Sequence, residues 1–221
     1  MKKIILSAFI FVMTMTANTF ADIKMGIILG FTGPIESLTP AMAASAELAF
    51  KEASDSGSLL GGKRISVERA DSTCVDSAAA TSAAEGLVSG GVVAIMGADC
   101  SGVTGAIAKN VAVPNGVVMI SPSATSPGLT DLKDNGYFFR TAPSDARGGQ
   151  ILADITKDRK VKSIAVTHTN NDYGKGLADV YVAAVKAHGI KVTAVTAHEE
   201  GKGDYGAEVA TLASAGGDAL A

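Results

Sequence analysis

Short apolar runs alternate with alanine-rich stretches of helical spacing along nearly the whole chain, and this alternation limits the available folds more than any other feature. Ile23–Leu29, Val92–Met96 and Val117–Ile120 read as buried strands. Arg64–Ala70 sets Ile65 and Val67 against polar neighbours, the pattern of a strand nearer a sheet edge. Helical stretches lie between them. Ala41–Ala53 carries Met42, Ala46, Ala49 and Ala53 on one face, with Pro40 suited to its first turn. Ser77–Ser89 is an alanine-rich helix stopped by Gly90 and Gly91. Val103, Ile107 and Val111 continue a helix that starts at Ser101. A short strand, Tyr137–Arg140, leads into a composition break at Thr141–Ser144. The alternation then restarts. Ser144 looks like the N-cap of a helix running to about Thr156. Lys162–His168 and Ile190–Ala197 read as strands, Tyr173–His188 and Tyr205–Ser214 as helices, and Asp218–Ala221 opens a further strand. Such alternation implies parallel sheets built from right-handed βαβ units. The predicted fold class is therefore α/β, with two Rossmann-like parallel units joined near residue 141.

With 221 residues, 47% of them hydrophobic, the chain can bury a sizeable core. The first 21 residues are expected to lie outside it. Met1-Lys2-Lys3 is basic, Ile4–Met15 is almost wholly apolar but short for a membrane span, and Thr19-Phe20-Ala21 offers small residues at a cleavage site. This is the pattern of a signal peptide cleaved after Ala21. No cysteine lies near that boundary, so a lipid anchor there is excluded. The product is expected to be exported. There are 19 basic and 22 acidic residues, and loss of Lys2 and Lys3 makes the balance more acidic. That balance argues against nucleic acid and anionic membrane surfaces as partners.

Ligands of open parallel sheets bind beyond the strands' C-terminal ends. Three glycine- or hydroxyl-rich turns lie at such ends in the first unit: Gly30–Pro34, Gly97–Ser101 and Ser121–Thr125. Ser101 falls at or near the N-cap of its helix, where unpaired N–H groups and the helix dipole favour an anion. Ser101 can equally serve only as a cap. Cys74 and Cys100 are the two cysteines, and an even pair in an exported chain favours a disulfide over metal ligation or a reactive thiol. His168, His188 and His198 have no metal-ligand spacing. Neither G-x-G-x-x-G nor G-x-x-x-x-G-K-[ST] stands at a strand–helix junction, and Asp99-Cys100-Ser101-Gly102 is not a G-x-S-x-G elbow. No metal, cofactor or catalytic residue is expected.

Several segments together resemble one family. Phe31-Thr32-Gly33-Pro34 before an alanine-rich helix, Asp71-Ser72-Thr73-Cys74, Gly97–Gly102, Ile120-Ser121-Pro122-Ser123-Ala124-Thr125-Ser126-Pro127-Gly128-Leu129-Thr130 and Asn171-Asp172-Tyr173-Gly174-Lys175-Gly176 resemble the branched-chain amino acid and amide binding proteins of ABC importers. These are type I periplasmic binding proteins, of two lobes and a hinge. The resemblance covers residues 22–221. It implies that Ser101 and Thr125 bind a ligand carboxylate, that the Ser123 carbonyl accepts from the ligand ammonium with its hydroxyl adding a contact, and that Tyr173 closes over the ligand. It also implies that a Cys74–Cys100 disulfide braces the serine turn. Leu38 falls where members often carry an aromatic residue beside the ligand side chain. By the same resemblance residues 22–140 are lobe 1 and 141–221 an incomplete lobe 2. Further strands, an acidic ammonium ligand and two more hinge crossings are expected beyond this stretch. The implied protein is a monomer that hands an amino acid to a membrane permease. The same fold serving as a ligand sensor is the first rival, and an exported hydrolase using Ser101 the second.

Overall fold

The computed structural model describes residues 23–221; the predicted signal peptide and its cleavage site lie outside the described residues. Two parallel sheets form. The first has the strand order β2-β1-β3-β4-β5, made of β1 (Ile23–Leu29), β2 (Ile65–Asp71), β3 (Ala94–Gly97), β4 (Val118–Ser121) and β5 (Phe138–Arg140). The second has the order β7-β6-β8, with β6 (Ser163–Thr169), β7 (Lys191–His198) and β8 (Ala219–Leu220). All the pairings are parallel, so the strands need crossovers; helices supply them except between β4 and β5, where the chain runs through a loop with one 3-10 turn at Pro127–Leu129. The helices are α1 (Thr39–Asp55), α2 (Ser77–Ser89), α3 (Ser101–Ile107), α4 (Asp145–Asp158), α5 (Asp172–Ala187) and α6 (Gly206–Ala215).

The strands owe their burial to period-two alternation between two helical layers. In β1, Ile28 faces α2 and α3 in a core with Leu87, Ile95, Ile107 and Met119, while Ile27 and Leu29 face α1. The edge position expected of the Arg64–Ala70 strand is observed for β2. Caps follow the polar residues that precede helices: Asp76 accepts from Ala78 and Ala79, Ser144 from Ala146, and Asn171 from Gly174.

Some local expectations are corrected. On α1 the inward face is Met42, Ala43, Ala46 and Phe50 rather than the Met42-Ala46-Ala49-Ala53 stripe: the steps of three and four run through Ala43, Ala46 and Phe50, and Ala49 is left exposed. The helix begun at Ser101 widens into a π turn over Ala108–Ala112. Ile120, read as buried, is 41% exposed, and its cross-strand neighbour Phe139 is 52% exposed. Both lie opposite Met119 and Phe138, which fill the core.

Candidate functional site

Four strands of the first sheet end on one rim, and their turns are hydrogen-bonded into a single body. Gly97 ends β3 at φ +135, where a Cβ would run into the Ile28 carbonyl, so only glycine lets β3 pass β1 there. Beyond it the N-cap of α3 is Cys100, not Ser101, and its side chain makes no capping bond. Ser101 is the first helical residue. Its buried hydroxyl reaches across to the loop after β4 and accepts from the Ser126 N–H at 3.1 Å. From the other side the Ser121 hydroxyl donates to the Ala98 carbonyl at 2.5 Å and accepts from the Ala124 N–H at 3.0 Å. The Ser123 hydroxyl, given the added contact beside that residue's carbonyl, donates to the Asp99 carbonyl at 3.0 Å. The helix start at Ser101 and the 121–126 turn are thus one unit.

The remaining turns join it. Asp99, 3% exposed, accepts from the Gly30 N–H at 2.7 Å and from the Ser72 hydroxyl at 3.3 Å. Asp71 accepts from the Thr32 hydroxyl at 2.6 Å and from the Thr73 N–H at 2.8 Å. Burial pushes the Asp71 carboxyl up, but the bonds from the Thr32 hydroxyl and the nearby N–H groups outweigh it and hold the group below 3.8. Cys74 and Cys100 form a disulfide with a Cα–Cα distance of 5.2 Å, linking the turn after β2 to the start of α3. Arg140 donates to the carbonyls of Ala124 and Ser126 at 3.2 and 2.8 Å, clamping the 121–126 turn from β5. Asp99, Ser121 and Arg140 escaped sequence reasoning as ties. The proline-flanked run of hydroxyls was the signal for Ser121; the two charged residues have none nearby in sequence.

The second sheet meets this unit at α5. A Cβ on Gly176 would stand 2.8 Å from the Ser126 Oγ and 3.0 Å from the Pro127 Cδ, so the glycine sets how closely α5 approaches the loop. The Thr125 carbonyl accepts from the Asp145 N–H at the start of α4, at 3.0 Å. Ser101 and Ser126 line a cavity against α5, together with Asp172, Lys175 and Gly176. Tyr173, 48% exposed, lines a different and largely apolar groove with Leu152, Ile155, Thr167, His168 and Leu220. Leu38 stands 60% exposed before α1, its N–H donating to Ile35. Of the five expected ligand contacts, then, Ser101, Ser123 and Thr125 are gathered, whereas Tyr173 and Leu38 stand apart from them. Among the described residues no group of three or more His, Cys, Asp or Glu side chains is arranged to hold a metal.

Two parallel α/β sheets, with hydroxyl-rich strand-end turns of one facing a helix of the other, define the class of type I periplasmic binding proteins. A family model described as periplasmic binding protein matches residues 22–221, and the chain belongs to that family. It is 32% identical over 202 residues to a Leu/Ile/Val-binding protein homolog of Brucella melitensis, covering 91% of this chain and 54% of that one. It is 32% identical over 206 residues to the leucine-, isoleucine-, valine-, threonine- and alanine-binding protein of Pseudomonas aeruginosa, covering 92% and 53%. Among solved structures, the branched-chain amino acid transporter substrate binding protein of Streptococcus pneumoniae, in complex with isoleucine, superposes with a TM-score of 0.74. The identity is 29%, over 90% of this chain and 56% of that one. The chain spans about half the length of the curated relatives it matches.

Proposed function

We propose that this chain is a periplasmic substrate-binding protein that captures a branched-chain amino acid, or a related small carboxylate or amide, for the permease of an ABC importer. Residues 1–21 direct export, residues 22–140 form the lobe that seats the carboxylate, and residues 141–221 belong to the lobe that closes over it. The observation that carries this reading is the meeting of two turns at Ser101. Its hydroxyl accepts from Ser126 and keeps its own proton to donate, at a helix start whose N–H groups suit an anion. Thr125 adds a second hydroxyl, and the Ser123 carbonyl takes the ammonium. From the groove that it lines, Tyr173 closes over the ligand as the lobes approach, and Leu38 is assigned to the ligand side chain by the family likeness alone. Relatives named for leucine, isoleucine and valine support that ligand class.

A binding role rather than catalysis is favoured by where the bases are. His168 bonds the Thr169 carbonyl, His188 the Asp154 carboxylate and His198 the Thr167 hydroxyl, so each imidazole is engaged away from Ser101. Calorimetry of the full-length protein with L-leucine, L-isoleucine and L-valine tests the reading. At least one should bind, and Ser101→Ala or Thr125→Ala should weaken it roughly ten- to hundredfold, since a hydrogen bond to a charge contributes about 1.5–3 kcal/mol. No binding of any of the three sinks the branched-chain assignment, and both variants binding as tightly as the parent sinks the role given to Ser101 and Thr125.

A further inference from the structure

Behind the candidate seat lies a carboxylate whose role the family likeness does not assign. Asp99 is 3% exposed. Its recorded partners are neutral donors: Oδ2 accepts from the Gly30 N–H at 2.7 Å, and Oδ1 accepts from the Cys100 N–H at 2.9 Å and from the Ser72 hydroxyl at 3.3 Å. A buried carboxylate is costly unless such bonds satisfy it. An apolar residue would fill the same space without that cost, so packing alone does not explain an aspartate here.

The position of the residue explains it better. The β1–β3 pairing ends at Ile28↔Gly97, and Gly30 and Asp99 stand two residues further along each strand. Ser72 is the first residue past β2. The side chain of Asp99 thus takes over where the backbone ladder stops, and it joins the exits of β1, β2 and β3. The exit of β4 is joined through the same residue's carbonyl, which accepts from Ser123 at 3.0 Å. Gly30 permits the approach: a Cβ there would come within 3.2 Å of the Cys74 Cβ and 3.4 Å of the carboxylate. Ser101 lies two residues on, and the turn holding Ser123 and Thr125 is bonded to the same short segment.

We propose that Asp99 is the positioning residue of the ligand seat. Its side chain fixes the Ser101 helix start against the exits of β1 and β2, and its carbonyl ties the turn at Ser123 to the same segment, so that the donors and acceptors of both face one ligand head group. The inference rests on the functional reading above, and its test separates the two. L-leucine is titrated into the full-length parent, Asp99→Asn, Ser101→Ala and Ser54→Ala, while amide exchange is followed at Gly30 and Cys100. Ser54 supplies the control: it is buried in the first lobe and accepts from the Ile65 N–H at 2.9 Å, away from the turns. Asp99→Asn should weaken L-leucine at least tenfold and speed exchange at Gly30 and Cys100. Ser54→Ala should lower the melting temperature with L-leucine affinity unchanged. Should Asp99→Asn fail to fold, Ser72→Ala removes one donor and should weaken binding about threefold. Parent-like affinity in Asp99→Asn, with Ser101→Ala still impaired, overturns the proposal and leaves the functional reading standing. Unchanged exchange at Gly30 in Asp99→Asn overturns it whatever the parent binds. A parent that binds none of L-leucine, L-isoleucine and L-valine while exchange at Gly30 rises in the variant overturns the functional reading and keeps the tie.

Discussion

Thr32 and Asp71 show how one carboxylate fixes the exposed part of a loop whose Phe31 alone packs on the α1 side of the core. Thr32, Gly33 and Pro34 are exposed, so beyond the Phe31 ring this turn is held by the bonds of Thr32 to Asp71. Asp71 titrates below 3.8 because the folded state bonds its charged form, and the sign of the linkage follows. The stabilisation is present in full above the unfolded value and is lost as pH falls through the lower folded one. Melting temperature followed from neutral pH downward should therefore show an acid limb that Asp71→Asn flattens; superimposable limbs would remove Asp71 from the account. The same scale shows what a sequence hides. Ser101 was legible because strand, turn and helix signals bracket it. Asp99 was not, because its partners Gly30 and Ser72 stand 69 and 27 residues away and no local pattern links them. Arg140 clamps a turn 14 to 16 residues back by donating to carbonyls, which every residue possesses, so nothing marks them out in advance.

Strands and helices were more legible than their faces. Apolar runs and caps located the elements, since periodicity and N-cap chemistry are local. Which side each element buries depends on what arrives from elsewhere. Ile120 sits in an apolar run and still faces outward, and the inward face of α1 runs through Ala43 and Phe50 rather than through the alanine stripe. The π turn after α3 left no signal at all, because Ala108–Ala112 is as compatible with an ordinary helix. The disulfide joins elements that the sheet alone would leave loosely related, the turn after β2 and the first turn of α3. It closes a loop with a sequence separation of 26, worth about 3–4 kcal/mol in the chain-entropy model. Replacing both cysteines by serine should lower stability by about that amount in denaturant titrations. It should also weaken L-leucine binding, because the start of α3 loses its brace. Mass spectrometry of oxidised material should find the two thiols joined; a parent unaffected in stability by the double replacement would reduce the bridge to an incidental link.

At the largest scale, the two faces of the first sheet are unequally covered among the described residues. One face carries α2 and α3 over a continuous core; the other carries α1, which reaches β1, β2 and Met96. Beyond Met96 the same face continues through Ile120 to Phe139, paired neighbours across β3, β4 and β5. Ile120 and Phe139 are 41% and 52% exposed, although a parallel sheet is ordinarily covered on both sides. β5 is also an edge strand, so apolar surface and unpaired backbone groups coincide at one border. An apolar row on an open edge is the surface physics of association. Residues 22–221 expressed alone should therefore self-associate as their concentration rises. Replacing Ile120 and Phe139 together by threonine keeps β propensity while removing the apolar row. Sedimentation velocity should then show the associated species receding, with little change in circular dichroism, because both side chains lie outside the core. If the parent stays monomeric across the whole concentration series, the exposed row is too narrow to drive contact. If instead the double variant associates as the parent does, the contact lies elsewhere, and the apolar groove beside Tyr173 and Leu220 is the next surface to alter.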